Sequence, residues 1–405
     1  MRGLAIAHSK VTGALRGRTL LLALSFAGFI ALGLPDAVIG VAWPSMRQYF
    51  DLPLDALGPL FVTATAGYVL ASSATGAIMA RIGVGDLLAT SCAITAVALY
   101  GYTIAPSWAL LVACGLLTGF GAGAIDAAIN THAAVHYSAR VLNVLHAFWG
   151  VGAAAGPALM TAMLSMDRSW QDGYRVIVGV EIALAGAFFL TRRRWPQPLA
   201  AHGEHGSAPY AETLRLRRMQ LSLLVFLLYT GCESTAGAWA FSLLYESRGL
   251  DTAAAGAAVT LYWGGLFASR LGYAFLPTSV RPSAVVLVCM LAALAGMAML
   301  AAGMHPALDS AALALVGFAS GPIFPSLIAA TPARLGARHT ANAVGLQVSL
   351  AAIGVATLPA LCGVAAQSMG LESVPRLLGA CWIVLVIAYI GLERISGRAA
   401  LNPSS

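Results

Sequence analysis

Twelve stretches of mostly apolar residues follow one another along the chain, at about 20–43, 57–80, 87–104, 107–131, 143–165, 174–191, 220–245, 254–276, 283–303, 307–331, 340–366 and 374–392. A helix needs ~20 such residues to cross the hydrocarbon core of a bilayer. The runs are continuous rather than alternating, which excludes a membrane β-barrel. The first is too long, and followed by too many others, to be a cleaved signal peptide. Charged residues make up only 10% of the chain against 59% hydrophobic. The expectation is an all-α, multi-pass protein of twelve transmembrane helices in a lipid bilayer.

In a soluble protein the net charge of +7 would suggest nucleic acid; here it reads as topology, with no nucleic-acid partner. Placing the N-terminus inside puts Arg2, Lys10, Arg16, Arg18, Arg81, Arg140, the cluster from Arg192 to Arg218, Arg281, Arg334, Arg338, Arg394 and Arg398 on the cytoplasmic side. Arg47, Arg168, Arg175, Arg248 and Arg376 fall outside. That asymmetry predicts two cytoplasmic termini. One Lys against 22 Arg, with abundant Ala and Gly, hints at a bacterial source and so an inner membrane. All six cysteines sit in apolar segments and read as packing residues, without metal spacing.

The chain also looks duplicated. Asp36-Ala-Val-Ile-Gly40 recurs as Glu233-Ser-Thr-Ala-Gly237, and Gly67-Tyr-Val-Leu-Ala-Ser72 as Gly264-Gly-Leu-Phe-Ala-Ser269, both at an offset of 197. Gly119-Phe-Gly-Ala-Gly123 recurs as Gly317-Phe-Ala-Ser-Gly321 at 198. Three matches in order argue for a repeat. The polar stretch 191–219 separates six spans from six, giving bundles at 1–190 and 220–405 joined by a cytoplasmic linker. Within it His202, Glu204 and His205 admit a metal site, but a flexible tether is the preferred reading. Pro35, Pro157, Pro322, Pro325 and Pro359 lie inside spans, where they break the backbone ladder. Two halves with broken, Gly-rich helices describe a secondary transporter whose site lies near the midplane.

Gly76-Ala-Ile-Met-Ala-Arg81-Ile-Gly83 resembles the loop signature of the major facilitator superfamily, and Gly152-Ala-Ala-Ala-Gly156-Pro157 is similar to its fifth-span motif. Ala80 stands where that loop usually has Asp. Five further stretches resemble the fucose/glucose/galactose–proton symporter branch. They are Gly33-Leu-Pro-Asp36-Ala-Val-Ile-Gly-Val-Ala-Trp43-Pro44, Gly123-Ala-Ile-Asp126-Ala-Ala-Ile-Asn130-Thr131, Asn143-Val-Leu-His146-Ala-Phe-Trp149-Gly150, Gly231-Cys-Glu233 and Pro322-Ile-Phe-Pro325. The resemblance implies two pseudo-symmetric six-helix bundles and proton-coupled uptake of a sugar or sugar-like compound. It also implies that acids in spans one and four serve binding and coupling, positions matched by Asp36 and Asp126.

An acid within a membrane helix is costly and reads as functional by default. Asp36, Asp126 and Glu233 are therefore the expected proton-coupling residues. The alternatives are a carboxylate reaching the headgroups for Asp36 and a structural hydrogen bond for Asp126. With the halves facing each other, the three acids are expected to share one cavity with no Arg or Lys at comparable depth. Arg270 reads as an anchor or gate at the end of span eight, Glu246 as a residue of an outside loop, and Glu181 is unassigned. Substrate contacts are expected from Asn130, Asn143, His146, Trp149, Trp239, Trp263 and Gln347. Amides bond hydroxyls as donor and acceptor together, and aromatic faces suit a sugar ring. Each also reads as a packing or inter-helix residue.

The expected partners are a small-molecule substrate and protons, with sodium as an alternative that carboxylates can also hold, in a monomer without cofactor. The rival reading is a proton-antiporting exporter of drugs or cationic metabolites, which would also carry unpaired acids. An enzyme is disfavoured, since the sequence shows no nucleophile–base set, metal motif or phosphate loop.

Overall fold

The computed structural model describes residues 2–196, 208–277 and 280–401, with side chains over 17–397 apart from positions 139, 140 and 143. Each apolar run forms one helical span. In order these are α1 Arg2–Phe50, α2 Gly58–Ile82, α3 Val84–Ile104, α4 Trp108–His136, α5 Ala139–Ser165, α6 Trp170–Thr191, α7 Arg217–Ser242, α8 Thr252–Tyr273, α9 Pro282–Ala302, α10 Pro306–Ser320, α11 Ala337–Met369 and α12 Ser373–Leu401. No strand occurs among the described residues.

Eleven of these spans are long and apolar enough to cross a membrane. The exception, α8, has the length, at 22 residues. Its Tyr262, Trp263, Gly264 and Gly265 dilute its apolar content. It packs on α5 and α10.

The first six helices pack among themselves, α2 on α4, α1 on α5, and α3 on α4 and α6. The last six do likewise, α11 on α7, α10 on α8 and α9, and α12 on α7 and α9. Between the two sets α5 lies against α8, α2 against α11, and α1 against α7. Small residues set these distances, since helices approach closely only where side chains are absent.

The repeat is visible in those approaches. A Cβ on Gly119 would lie 1.8 Å from the Ala64 carbonyl oxygen, and one on Gly317 would lie 2.0 Å from that of Tyr262. An offset of 198 carries the first pair onto the second. Likewise Gly152 rests on the Ile30 oxygen and Gly354 on the Leu227 oxygen, at 1.9 and 2.2 Å. An offset of 197 carries Ile30 to Leu227 and Asp36 to Glu233, so each acid follows its helix's contact oxygen by the same six residues. Shared composition would not reproduce the same contacts.

Prolines act unevenly. Pro35 and Pro44 sit within the continuous α1, and Pro157 and Pro359 within α5 and α11. Only Pro322 marks an interruption, between α10 and the short helix Ile323–Ala329. The expectation of broken spans thus holds for span ten and is corrected for the others, where the spans remain helical through the proline.

At the linker end of the bundle, Trp195 is buried against Phe188 and His132, with ring centroids 5.8 and 4.8 Å away. Beyond it, the Ala208 amide donates to the Arg338 carbonyl at 3.0 Å, and Arg338 pairs with Glu212 at 3.1 Å. These segments are docked on the two bundles, which corrects the reading of the whole stretch as a tether. Residues 197–207, with His202, Glu204 and His205, lie outside the described residues.

The opposite end, where α1 passes to α2, joins the two halves. Arg47 pairs with Glu246, which lies in a π-helical turn, Leu243–Ser247, continuing α7. The Leu54 amide donates to Gln367 Oε1 at 2.7 Å. Glu246 is therefore a bridge between halves rather than a bystander in a loop.

Candidate functional site

Asp36 projects from the C-terminal half of α1, about four turns before its end. Its side chain is exposed while Leu34, Ala37 and Val38 beside it are buried. One turn further along, a Cβ on Gly40 would lie 2.7 Å from the Gly237 carbonyl oxygen. That approach brings α1 and α7 together on the side of Asp36 toward the α1–α2 turn. The indole Nε1 of Trp149, on α5, donates to Asp36 Oδ2 at 3.0 Å.

Asp126 is half-buried on α4. Tyr68 on α2 donates its hydroxyl to Oδ2, and the Asn130 amide donates to Oδ1 at 2.9 Å. Asn130 lies one turn along the same helix, so both project from one face. His146, on α5, is exposed and set edge-on to Phe29, 5.0 Å between rings.

Glu233 occupies the matching place on α7. Its Oε2 accepts from Tyr229, whose hydroxyl also lies 2.7 Å from the Ser320 carbonyl oxygen. Tyr262 donates to the Glu233 carbonyl oxygen at 2.7 Å. Arg270 Nη2 stands 4.0 Å from Glu233 Oε2. The guanidinium also lies over the Trp149 ring, 5.9 Å from its centroid. The expectation of no cation at this depth is corrected. Arg270 starts near the linker end of α8, but its long side chain reaches back to the acid.

Asp36, Trp149, Arg270 and Glu233 thus form one chain of contacts from α1 through α5 to α8 and α7. Trp263 joins it, 5.5 Å from Trp149 and nearly perpendicular. Asp126, Asn130 and His146 lie beside it: Asp126 is a neighbouring charge to Asp36, and His146 lies near both Asp126 and Arg270. Among the described residues no Arg or Lys lies within ion-pairing distance of Asp36 or Asp126.

Two expected contacts lie elsewhere. Gln347 is 1% exposed. It donates to Ser222 at 2.7 Å and accepts from Thr331 at 3.0 Å, so both ends of its amide tie helices together. Trp239 is 1% exposed and donates to the Pro359 carbonyl at 3.0 Å, which makes it a core residue between α7 and α11. Their polarity is used within one bundle, leaving nothing to meet a solute. Asn143 lies on α5, and its side chain is outside those described.

Sequence reasoning missed Tyr68, Tyr229 and the position of Arg270. Tyr229 was legible as the residue one turn before Glu233. Tyr68 lies inside a repeated segment, and an intramembrane Arg is itself a functional signal. Glu181 is 1% exposed on α6 with Oε2 unpartnered.

The profile described as Major Facilitator Superfamily matches residues 24–396. Bypass of stop codon protein 6 of Saccharomyces cerevisiae is 23% identical over 405 residues, covering 89% of this chain and 79% of that protein. Sodium-dependent glucose transporter 1A of Mus musculus is 23% identical over 301 residues, covering 64% of this chain and 70% of that protein. A crystal structure of a variant of the nucleoside transporter NupG aligns at TM-score 0.76 and 12% identity, over 92% of this chain and 99% of that one. A variant of the E. coli fucose:proton symporter FucP aligns at TM-score 0.62 and 18% identity, over 92% and 98%. At these identities the structures show the fold alone.

Proposed function

Since the chain belongs to the major facilitator superfamily, we propose that it is a proton-coupled secondary transporter. It carries a small polar solute, a sugar or sugar-like compound, by alternating access. The observation that carries this reading is Asp36, an acid deep in the bundle, open to solvent and held by a neutral N–H donor. Such a carboxylate can take up a proton without first breaking an ion pair. Asp126, with Tyr68 and Asn130, offers a second carboxylate beside hydroxyl and amide groups suited to polyhydroxy ligands.

Glu233 has a different part in this scheme. With Arg270 alongside, it balances charge in the second half and leaves Asp36 and Asp126 as the exchanging acids. The solute would sit between the Trp149–Trp263 pair and the Asp126–Asn130 face, with His146 at its edge. The named substrates of the glucose and fucose transporters above support a sugar class, and the first of those names keeps sodium as the alternative ion.

The division at 1–190, 191–219 and 220–405 is proposed as the moving architecture, in a monomer with both termini cytoplasmic in a bacterial inner membrane. Under that orientation the site opens inward and the Arg47–Glu246 end is closed.

One observation favours the second reading, export of drugs or cationic metabolites. Gln347 is withdrawn from the site, whereas Trp149, Trp263 and the Phe148–Phe267 pair, 6.4 Å apart, provide aromatic surface. A thermal-shift screen of purified protein against hexoses, polyols and organic cations separates the two, because a ligand of the native state raises its apparent stability. Stabilisation by hexoses is expected. Stabilisation by cations alone would favour the exporter.

A further inference from the structure

Trp149 makes one contact with each half of the site, and the two contacts use different parts of its ring. Its N–H edge points to Asp36, 3.0 Å from Oδ2. Its face lies under the Arg270 guanidinium, 5.9 Å from the centroid, within the ~6 Å reach of a cation–π contact. Arg270 in turn stands 4.0 Å from Glu233 Oε2, at the outer limit of an ion pair. Asp36 and Arg270 belong to opposite bundles, and the indole lies between them.

We infer that Trp149 is a positioning residue that ties the charge on Asp36 in one bundle to the seat of Arg270 beside Glu233 in the other. This rests on the reading of Asp36 as a proton-exchanging acid. While Asp36 is ionised, the N–H···O bond is charge-assisted and roughly twice as strong as its neutral counterpart. It fixes the ring, and the ring face holds part of the Arg270 charge. When a proton from solvent binds a carboxylate oxygen of Asp36, the acceptor becomes neutral. The indole edge is then held more weakly, and Arg270 shifts from the ring toward Glu233.

The surroundings limit competing routes. Around this group are Tyr68 on α2, Asp126 on α4, His146 on α5, and Tyr229 and Glu233 on α7, while Glu181 on α6 is buried behind it, within electrostatic reach of Asp36. Trp263 backs the ring on α8, with its own Nε1 buried and unpartnered. Tyr68 is bonded to Asp126 and Tyr229 to Glu233, so neither spans the gap between Asp36 and Arg270. His146 is the alternative route, since both Asp126 and Arg270 lie near it.

The test is a coupling measurement that needs no substrate. Melting temperatures of the full chain in detergent would be taken for Asp36→Asn, Arg270→Gln and their combination, each with Trp149 and again with Trp149→Phe. Phenylalanine keeps a ring face for Arg270 and removes the N–H. With Trp149 present, the double variant should depart from the sum of the single shifts by about 2 °C or more. In the Trp149→Phe background that departure should vanish. A coupling that persists without Trp149, or none with it, overturns the inference. Should Arg270→Gln fail to fold, Arg270→Lys moves the charge while keeping it, and His146→Gln checks the alternative route. Repeating the set at pH 5 and pH 8 tells the two failures apart. Coupling that is lost on acidification supports both the bridge and the proton reading. Equal coupling at both values supports the bridge and contradicts proton exchange at Asp36.

Discussion

Gly40 and Gly237 touch each other, and each is the repeat mate of the other. A Cβ on Gly40 would come 2.7 Å from the Gly237 oxygen and 2.9 Å from that of Ala238. Equivalent positions of the two halves therefore meet where α1 crosses α7. Asp36 and Glu233 each precede this contact by one turn, so they lie at the same depth on α1 and α7.

Gly40→Val should therefore prevent the helices from meeting at this point. The added carbons would strike backbone, which cannot swing aside. Overpacking of this kind costs about 1–3 kcal/mol. Hydrogen–deuterium exchange should rise in residues 54–60 and 360–367, where the halves now join. Unchanged exchange there would show that this contact does not hold the end closed.

Arg47 and Glu246 bridge the same end and are partly exposed. Pairs in such settings contribute only about 0–1 kcal/mol. Glu246→Gln should leave the melting temperature within about 2 °C yet raise exchange in the same two segments. A large loss of stability without that rise would assign the pair to folding instead.

A different ion cluster is built for rigidity. Arg248 is 9% exposed by side chain and lies 2.9 Å from Asp309 and 2.7 Å from Glu372, tying the end of α7 to α10 and to the α11–α12 turn. Removing one partner of a buried pair costs about 3–5 kcal/mol, so Arg248→Gln should destabilise strongly, leaving buried Asp309 unpaired. The Arg248 hydrogen bonds hold the Glu372 carboxyl below its ordinary value of 4.5. A carboxylate depressed in the folded state adds stability above that value and loses it as pH falls through the folded one. Melting curves should show this acid-side loss in the parent and a weaker one in Glu372→Gln.

Asp36→Asn keeps size and the capacity to accept from Trp149 but cannot exchange a proton. Binding and solute exchange should survive while gradient-driven accumulation falls by at least about tenfold, a step that corresponds to ~1.4 kcal/mol. Asp126→Asn is expected to weaken binding as well, through its contacts with Tyr68 and Asn130. Parent-like accumulation in both variants would make these acids structural.

Much of this was legible in the chain. Spans follow from continuous apolar runs, and the recurring motifs at offsets of 197 and 198 pointed to the duplication. What the sequence could not resolve was partnership. Gln347 and Asn130 are both amides in apolar helices, yet Gln347 meets Ser222 and Thr331 inside one bundle whereas Asn130 stays beside Asp126. Trp239 and Trp149 differ in the same way. Which face of a membrane helix meets a cavity depends on packing of distant segments, and local spacing does not report it. Arg270 shows the effect of reach: its backbone position reads as peripheral, but its side chain lies at the site.

The most direct test is accumulation in proteoliposomes of the solute found by thermal shift. An inward proton gradient and an inward sodium gradient would be imposed separately on the parent and on Asp36→Asn. Proton coupling predicts uphill accumulation by the parent under the pH gradient alone, and only equilibration by Asp36→Asn. Accumulation driven by sodium and indifferent to pH, or retained in Asp36→Asn, would contradict it.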